Sequence, residues 1–133
     1  MVIVLDTNEI VSALLTETGA PAQVLDLCIT GDLELAVDAR IVAEYDEVLS
    51  RPEFAFEPGE VQRIMELIVR AEHVTAAPVP VRLSDPDDAP FLEVAVAAAA
   101  DAIVTGNVRH FKPAAALDIA ILTPRTLLER LGS

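Results

Sequence analysis

The sequence has few of the residues that cross-link small or secreted proteins. Its 133 residues include one cysteine, two histidines and no tryptophan. Cys28 therefore cannot form an internal disulfide, and we expect neither a zinc site nor a cysteine nucleophile with a nearby base. The residue lies within an apolar helical pattern, which predicts a thiol packed in the core of a protein from a reducing compartment.

Basic residues are also scarce. Nine Lys and Arg residues stand against 22 Asp and Glu residues, which gives a formal net charge of −13 at pH 7. This charge argues against a protein that coats nucleic acid through charge alone. It leaves open an enzyme that contacts nucleic acid through divalent cations, because cations invert the field of a carboxylate cluster. The same charge would suit a basic protein partner.

Long apolar runs are absent as well, and we expect no leader segment. No apolar stretch approaches the roughly 20 residues of a membrane span. The N-terminus has no basic segment followed by an apolar stretch and a cleavage site. We therefore expect a cytoplasmic protein without membrane contact, folded as a single domain over residues 1–133.

Short apolar runs alternate with segments of helical periodicity. The first run, residues 2–5, has three β-branched residues in succession and predicts a strand buried on both faces. Further strands are predicted at 33–37, 73–77, 102–105 and 119–122. Helices are predicted from about residue 10 and at 22–29, 39–50, 60–71, 89–100 and 124–131. The alternation predicts an α/β fold with a parallel sheet and right-handed crossovers.

Polar side chains follow the predicted strands. Asp6 ends the first strand, and Asn107 follows the fourth. These two residues share one edge of a parallel sheet if the first and fourth strands are neighbours. Glu44, in the helix after strand two, and Asp88, at the start of the helix before strand four, converge on the same edge.

Carboxylates crowded in this way repel one another unless a cation holds them. Oxygen ligands without Cys or clustered His favour Mg²⁺ or Mn²⁺ over zinc, and such a cation supports phosphodiester hydrolysis. The alternative is an acidic surface on which Asp6 and Asp88 cap separate helices, Glu44 is solvated and Asn107 forms a turn.

Several neighbouring residues are candidates for lesser roles. Thr7 and Asn8 are expected to orient Asp6, to cap the first helix or to contact substrate. Thr105 and Arg109 could meet a phosphate at the rim, because Arg matches phosphate geometry. We expect His110 to make a loop contact rather than to act as a general base.

Two further acids are interpreted as lying outside the cluster. Asp101 precedes strand four, and the rise of a strand places it at the opposite sheet edge. Glu9 lies near the start of the first helix, where its charge is tolerated, and it could join the acids or face solvent. For Glu9, we favour the solvent-facing position.

Four segments in order resemble the PIN domain, and more narrowly the toxin group of prokaryotic PIN proteins related to VapC toxins. They are residues 2–8 (VIVLDTN), 44–52 (EYDEVLSRP), 85–95 (DPDDAPFLEVA) and 100–111 (ADAIVTGNVRHF). The resemblance implies a three-layer α/β/α sandwich with a mainly parallel five-stranded sheet. It also implies a Mg²⁺- or Mn²⁺-dependent ribonuclease acting on single-stranded RNA, an antitoxin partner and a homodimer.

By the same resemblance, Asp6, Glu44 and Asp88 match the acidic metal-site residues of the family. Asn107 stands where many members have a fourth acid, so a second metal is expected to bind more weakly. The catalytic set is then Asp6, Glu44, Asp88 and Asn107, with Thr7, Asn8, Thr105 and Arg109 as substrate contacts.

Other protein classes fit less well. A phosphoacceptor receiver domain needs a Lys after strand five, where this chain has Thr123, Pro124 and Arg125. A dehalogenase-type phosphatase needs an acid where Asn8 stands. The alternative that stays open is a degenerate PIN fold that binds a protein or RNA without cutting it, which binding of Mn²⁺ would distinguish.

Overall fold

The computed structural model describes residues 1–132, and in this part of the chain five parallel strands form one sheet in the order β3-β2-β1-β4-β5. The strands are β1 (Val2–Leu5), β2 (Glu34–Val37), β3 (Glu72–His73), β4 (Ala102–Val104) and β5 (Ala120–Leu122). Ile3, in the central strand, pairs with Leu35 on one side and with Ala102 on the other. The first and fourth strands are therefore neighbours, as the predicted site requires.

Helices cover both faces of this sheet. They are α1 (Thr7–Leu15), α2 (Ala20–Thr30), α3 (Ala39–Leu49), α4 (Pro58–Arg70), α5 (Ala89–Ala97) and α6 (Pro124–Gly132). Helix α5 packs on β1, β2 and β4, while α2 contacts α1, α4 and α6. Helix α3 contacts both α1 and α5, and Arg40 of α3 pairs with Glu93 of α5 at 2.7 Å. The three-layer α/β/α arrangement with a five-stranded sheet is confirmed.

Three segments differ from their predicted form. Strand β3 has two residues instead of five, because pairing with β2 stops after the Val74 N–H donates to the Val37 carbonyl at 2.9 Å. Beyond that bond, Pro78 and Pro80 lack the N–H that would continue the ladder. Helix α5 ends three residues early, at Ala97, because Ala99 adopts φ +50°. Val108–Leu117 forms a 3₁₀ segment that had not been predicted.

The buried polar residues gather at one edge of the sheet. Among residues 1–132 five are buried, and each follows the carboxyl end of β1, β2 or β4: Asp6, Thr7, Glu9, Asp38 and Thr105. Asp101 lies at the opposite edge, as predicted. Its Oδ2 accepts a hydrogen bond from the Val2 N–H at 2.8 Å. The carboxyl edge of the central strands is therefore where a site would be found.

Two other sequence expectations concern Cys28 and membranes. Cys28 is buried in the core, and burial raises the pKa of its thiol to about 12, which confirms a packing role. Among residues 1–132, no helix is long and apolar enough to cross a bilayer.

Candidate functional site

Asp6 lies at the carboxyl end of the central strand and is buried, with 6% of its surface exposed. Its backbone N–H donates to the Val104 carbonyl at 3.0 Å. Its Oδ2 accepts from the Thr105 hydroxyl at 2.7 Å, and that hydroxyl accepts from the Asn107 N–H at 2.9 Å. The Asp6 side chain makes no capping bond to α1. The carboxylate is thus held by the loop after β4 and is not used as a helix cap.

Glu44 is half-buried on α3, which two contacts anchor to the sheet edge. The Asp38 side chain caps α3 by accepting from the Ile41 N–H at 3.0 Å. The Tyr45 hydroxyl donates to the Leu5 carbonyl, and burial raises its pKa well above the ordinary value, so the hydroxyl stays a donor. The Thr7 hydroxyl donates to the Glu44 carboxylate. Glu44 is therefore linked directly to the residue that follows Asp6.

Asp88 opens α5 and brings a third carboxylate to this edge. Its Oδ2 is shielded from solvent and accepts no hydrogen bond from the described residues. The Nδ1 of His110 lies 3.6 Å from that oxygen. Burial raises the pKa of Asp88, as do the charges of Asp6, Asp85 and Glu44, while His110 opposes the change. Since Asp88 makes no capping bond to α5, the cap alternative fails here too.

The three acids meet in one cleft of about 290 Å³. Predicted residues on its wall are Asp6, Thr7, Asn8, Glu44 and Asp88, together with the exposed Asp87. Charged or aromatic residues that had not been predicted as site residues also line it, namely Glu47, Arg51, Phe54 and the buried Phe91. Glu44, Glu47 and Arg51 have the spacing of one helix face, so that periodicity could have identified this wall.

The loop after β4 carries the other predicted site residues. Thr105 is fully buried, whereas Asn107 and Arg109 are exposed. Asn107, Arg109 and His110 line a neighbouring recess of about 420 Å³. The contact between Asp88 and His110 links the recess to the cleft. The structure therefore brings the three acids together but places Asn107 and Arg109 beside the cleft.

Glu9 was expected to face solvent, and this expectation is wrong. Only 7% of its surface is exposed, because its position on α1 turns it toward the loop after β4. A Cβ on Gly106 would lie 3.1 Å from the Glu9 Oε1, and the Gly106 backbone forms a hydrogen bond to this carboxylate. Burial and the nearby charge of Asp6 raise the pKa of Glu9. A fourth acid thus lies next to the site.

The donor chemistry of the cleft fits Mg²⁺ or Mn²⁺. Carboxylates are hard oxygen ligands, and the shielded Asp88 Oδ2 has no hydrogen-bond donor. Among residues 1–132, however, no three His, Cys, Asp or Glu side chains are placed so that they could hold a metal ion together. The residue types fit the ion, while the side chains as placed do not complete a coordination shell.

Comparison with known proteins gives the family and the fold. Residues 2–109 match the PIN domain family. A chain in the crystal structure of VapBC2 from Rickettsia felis, bound to a DNA fragment from their promoter, has a similar fold with a TM-score of 0.58. The two chains are 17% identical, and the likeness covers 92% of this chain and 98% of the other. No curated protein sequence matches this chain.

Proposed function

This chain belongs to the PIN domain family, and from that premise we propose that it is a metal-dependent endoribonuclease that cuts single-stranded RNA. The observation that carries the proposal is the cleft where Asp6, Glu44 and Asp88 converge from three distant segments of the sequence. Neither Asp6 nor Asp88 uses its side chain as a helix cap. Carboxylates that share one cleft without capping a helix are typical of a cation site.

Asp6 and Asp88 would hold a Mg²⁺ or Mn²⁺ ion, and Glu44 would orient the attacking water. The bound cation would polarise a phosphate oxygen and lower the pKa of water. The water oxygen would bond to phosphorus as the water releases a proton to solvent, the bond to the leaving ribose oxygen would break, and that oxygen would take up a proton from solvent. Thr105 acts by fixing Asp6 through its hydroxyl, with Asn107 supporting it through its backbone N–H.

Substrate contacts in this proposal come from both sides of the acids. Thr7 and Asn8 line the cleft, and Arg109 lies in the adjoining recess, where its guanidinium can meet a phosphate. The chain has only nine Lys and Arg residues and a net charge of −13, so few other basic side chains can contact phosphate. We therefore expect RNA binding to depend on the divalent ion as well as on arginine.

We also propose that the protein is the toxin of a toxin-antitoxin pair, located in the cytoplasm. The similar fold of a chain in a VapBC2 complex supports this proposal. The acidic surface suits an antitoxin with a basic docking segment. A homodimer is proposed from the family resemblance.

A second candidate function is a PIN fold that binds a partner without cutting RNA. Two observations favour it: residues 1–132 do not present a ready three-ligand metal cluster, and Asn107 is a neutral residue. This candidate predicts that Mn²⁺ does not bind in the cleft.

The proposed activity is tested by incubating labelled single-stranded RNA with purified protein in EDTA, Mg²⁺ or Mn²⁺. We expect cleavage only with a divalent ion and its loss in Asp6→Asn and Asp88→Asn. Asp87→Asn is the matched control, because Asp87 is the exposed neighbour of Asp88 on the same cleft. Cleavage that persists in EDTA or in Asp6→Asn would contradict the proposal.

A further inference from the structure

One wall of the acid cleft carries an exposed edge of aromatic surface, the half-buried ring of Phe54. Phe54 lines the cleft with the three acids, and its ring stacks on Phe56 with centroids 5.1 Å apart and an angle of 11° between the planes. Phe56 packs against the hydrophobic core and lines a separate groove beside α4. Both rings are half-buried, and Phe54 is the one that borders the cleft.

The backbone between the two rings is held in an unusual conformation. Ala55 has φ +47°, a left-handed geometry that is unfavourable for a residue with a Cβ. Strain of this kind persists where the surrounding structure imposes it and is common at ligand sites. Here the left-handed residue, Ala55, lies between the two phenylalanines whose rings stack.

Arg51 adds a cation to the same wall. Its guanidinium pairs with Glu47 one helical turn earlier, with an Nη2 to Oε2 distance of 2.9 Å. Both side chains are largely exposed, and an exposed pair of this kind is weak enough to exchange for a phosphate. Single-stranded nucleic acids are bound by this combination of an aromatic platform and a nearby guanidinium.

We propose that Phe54 stacks on an unpaired base of the RNA beside the scissile phosphate, and that Arg51 contacts an adjoining phosphate. This inference rests on the proposed ribonuclease function and names the feature of RNA that the cleft reads. A base within a duplex cannot present its face to Phe54, so the ring selects single strands.

Binding of a fluorescein-labelled oligoadenylate, followed by fluorescence anisotropy in Mg²⁺, tests the stacking. The background is Glu44→Gln, which removes the residue that orients water but keeps Asp6 and Asp88. We expect Phe54→Leu to weaken binding by about fivefold or more, while Phe54→Tyr, which keeps the ring, binds like the parent. Phe56→Leu, in the same loop but facing the other groove, is the matched control and should bind normally.

An abasic strand of the same length separates stacking from loop packing, because it has phosphates but no bases. We expect Phe54→Leu and its parent to bind this strand equally. Equal losses in Phe54→Leu and Phe56→Leu, or unchanged oligoadenylate binding in Phe54→Leu, would overturn the stacking and leave the nuclease proposal standing. No RNA binding by the Glu44→Gln parent would count against both.

Discussion

A single hydroxyl shows how residues outside the acid cluster shape it. Thr105 is fully buried, accepts from the Asn107 N–H and donates to the Asp6 carboxylate, so it has no surface left for substrate. The sequence placed it correctly at the end of β4. The direction in which the Thr105 hydroxyl points could not be predicted, because it depends on how β1 and β4 are paired.

Replacing Thr105 tests this positioning role. Thr105→Val keeps the shape but removes the bond to Asp6, and we expect both Mn²⁺ affinity and the cleavage rate to fall by about 10- to 100-fold. Thr105→Ser keeps the hydroxyl and should stay within a few-fold of wild type. If the valine variant bound Mn²⁺ normally, the bond would have only a structural role.

Glu9 gives a prediction about pH. Its raised pKa means that the folded state holds this proton more tightly than the unfolded chain does. The stability from this group is therefore present below the ordinary pKa of 4.5 and is lost as the pH rises through the folded value. Glu9→Gln stays neutral and keeps an acceptor for the Gly106 N–H.

We therefore expect Glu9→Gln to be more stable than wild type at pH 7, with the difference shrinking as the pH approaches 4.5. Urea unfolding at several pH values measures this, with the exposed Glu57→Gln as control. A variant less stable than wild type at pH 7 would show that the bond between Gly106 and the ionised carboxylate outweighs the cost of burial.

At the scale of elements, the C-terminus of α5 ends against its local preference. The Ala100 N–H donates to the Ala95 carbonyl at 2.9 Å, which closes the helix around the left-handed Ala99. Glycine usually occupies that position, because it has no Cβ to clash. An alanine-rich sequence gives no stop signal there, which explains why the helix was predicted to continue to residue 100.

We expect Ala99→Gly to raise the free energy of unfolding by about 1 kcal/mol. Ala43→Gly, at an exposed interior position of α3, should lower it by about 1 kcal/mol. Thermal or urea unfolding of the two variants gives the comparison. A loss of stability in Ala99→Gly would mean that the turn is not strained by its alanine.

The helices and strands that could be predicted were those with a clear pattern of apolar residues. Strand β1 and helix α3 matched closely, because β-branched runs and apolar helical stripes are local signals. Strand β3 and the 3₁₀ segment after β4 did not match, since pairing on an edge strand and a turn around Pro113 depend on the rest of the fold.

At the scale of the whole molecule, topology explains why the site could be found at all. Parallel strands bring all their carboxyl ends to one edge, so Asp6, Glu44 and Asp88 converge without any detail of packing. The wall formed by Arg51 and Phe54 depends on the turn between α3 and α4, and the burial of Glu9 depends on how α1 is rotated against the sheet. The order of the strands does not determine that rotation.

Charge is the other property of the whole molecule that bears on function. A net charge of −13 opposes the approach of RNA to a cleft lined by acids. A divalent cation in the cleft would reverse the local field and allow a phosphate to enter. The metal site is therefore the central claim on which both substrate binding and hydrolysis depend.

Calorimetric titration with Mn²⁺ tests this claim most directly, because it needs neither the correct RNA nor a partner. We expect saturable binding to wild type, binding weakened at least about tenfold in Asp6→Asn and in Asp88→Asn, and unchanged binding in Asp87→Asn. Absence of Mn²⁺ binding to folded wild-type protein, or equal binding by all four proteins, would contradict the metal site and favour a PIN fold that binds partners without cutting RNA.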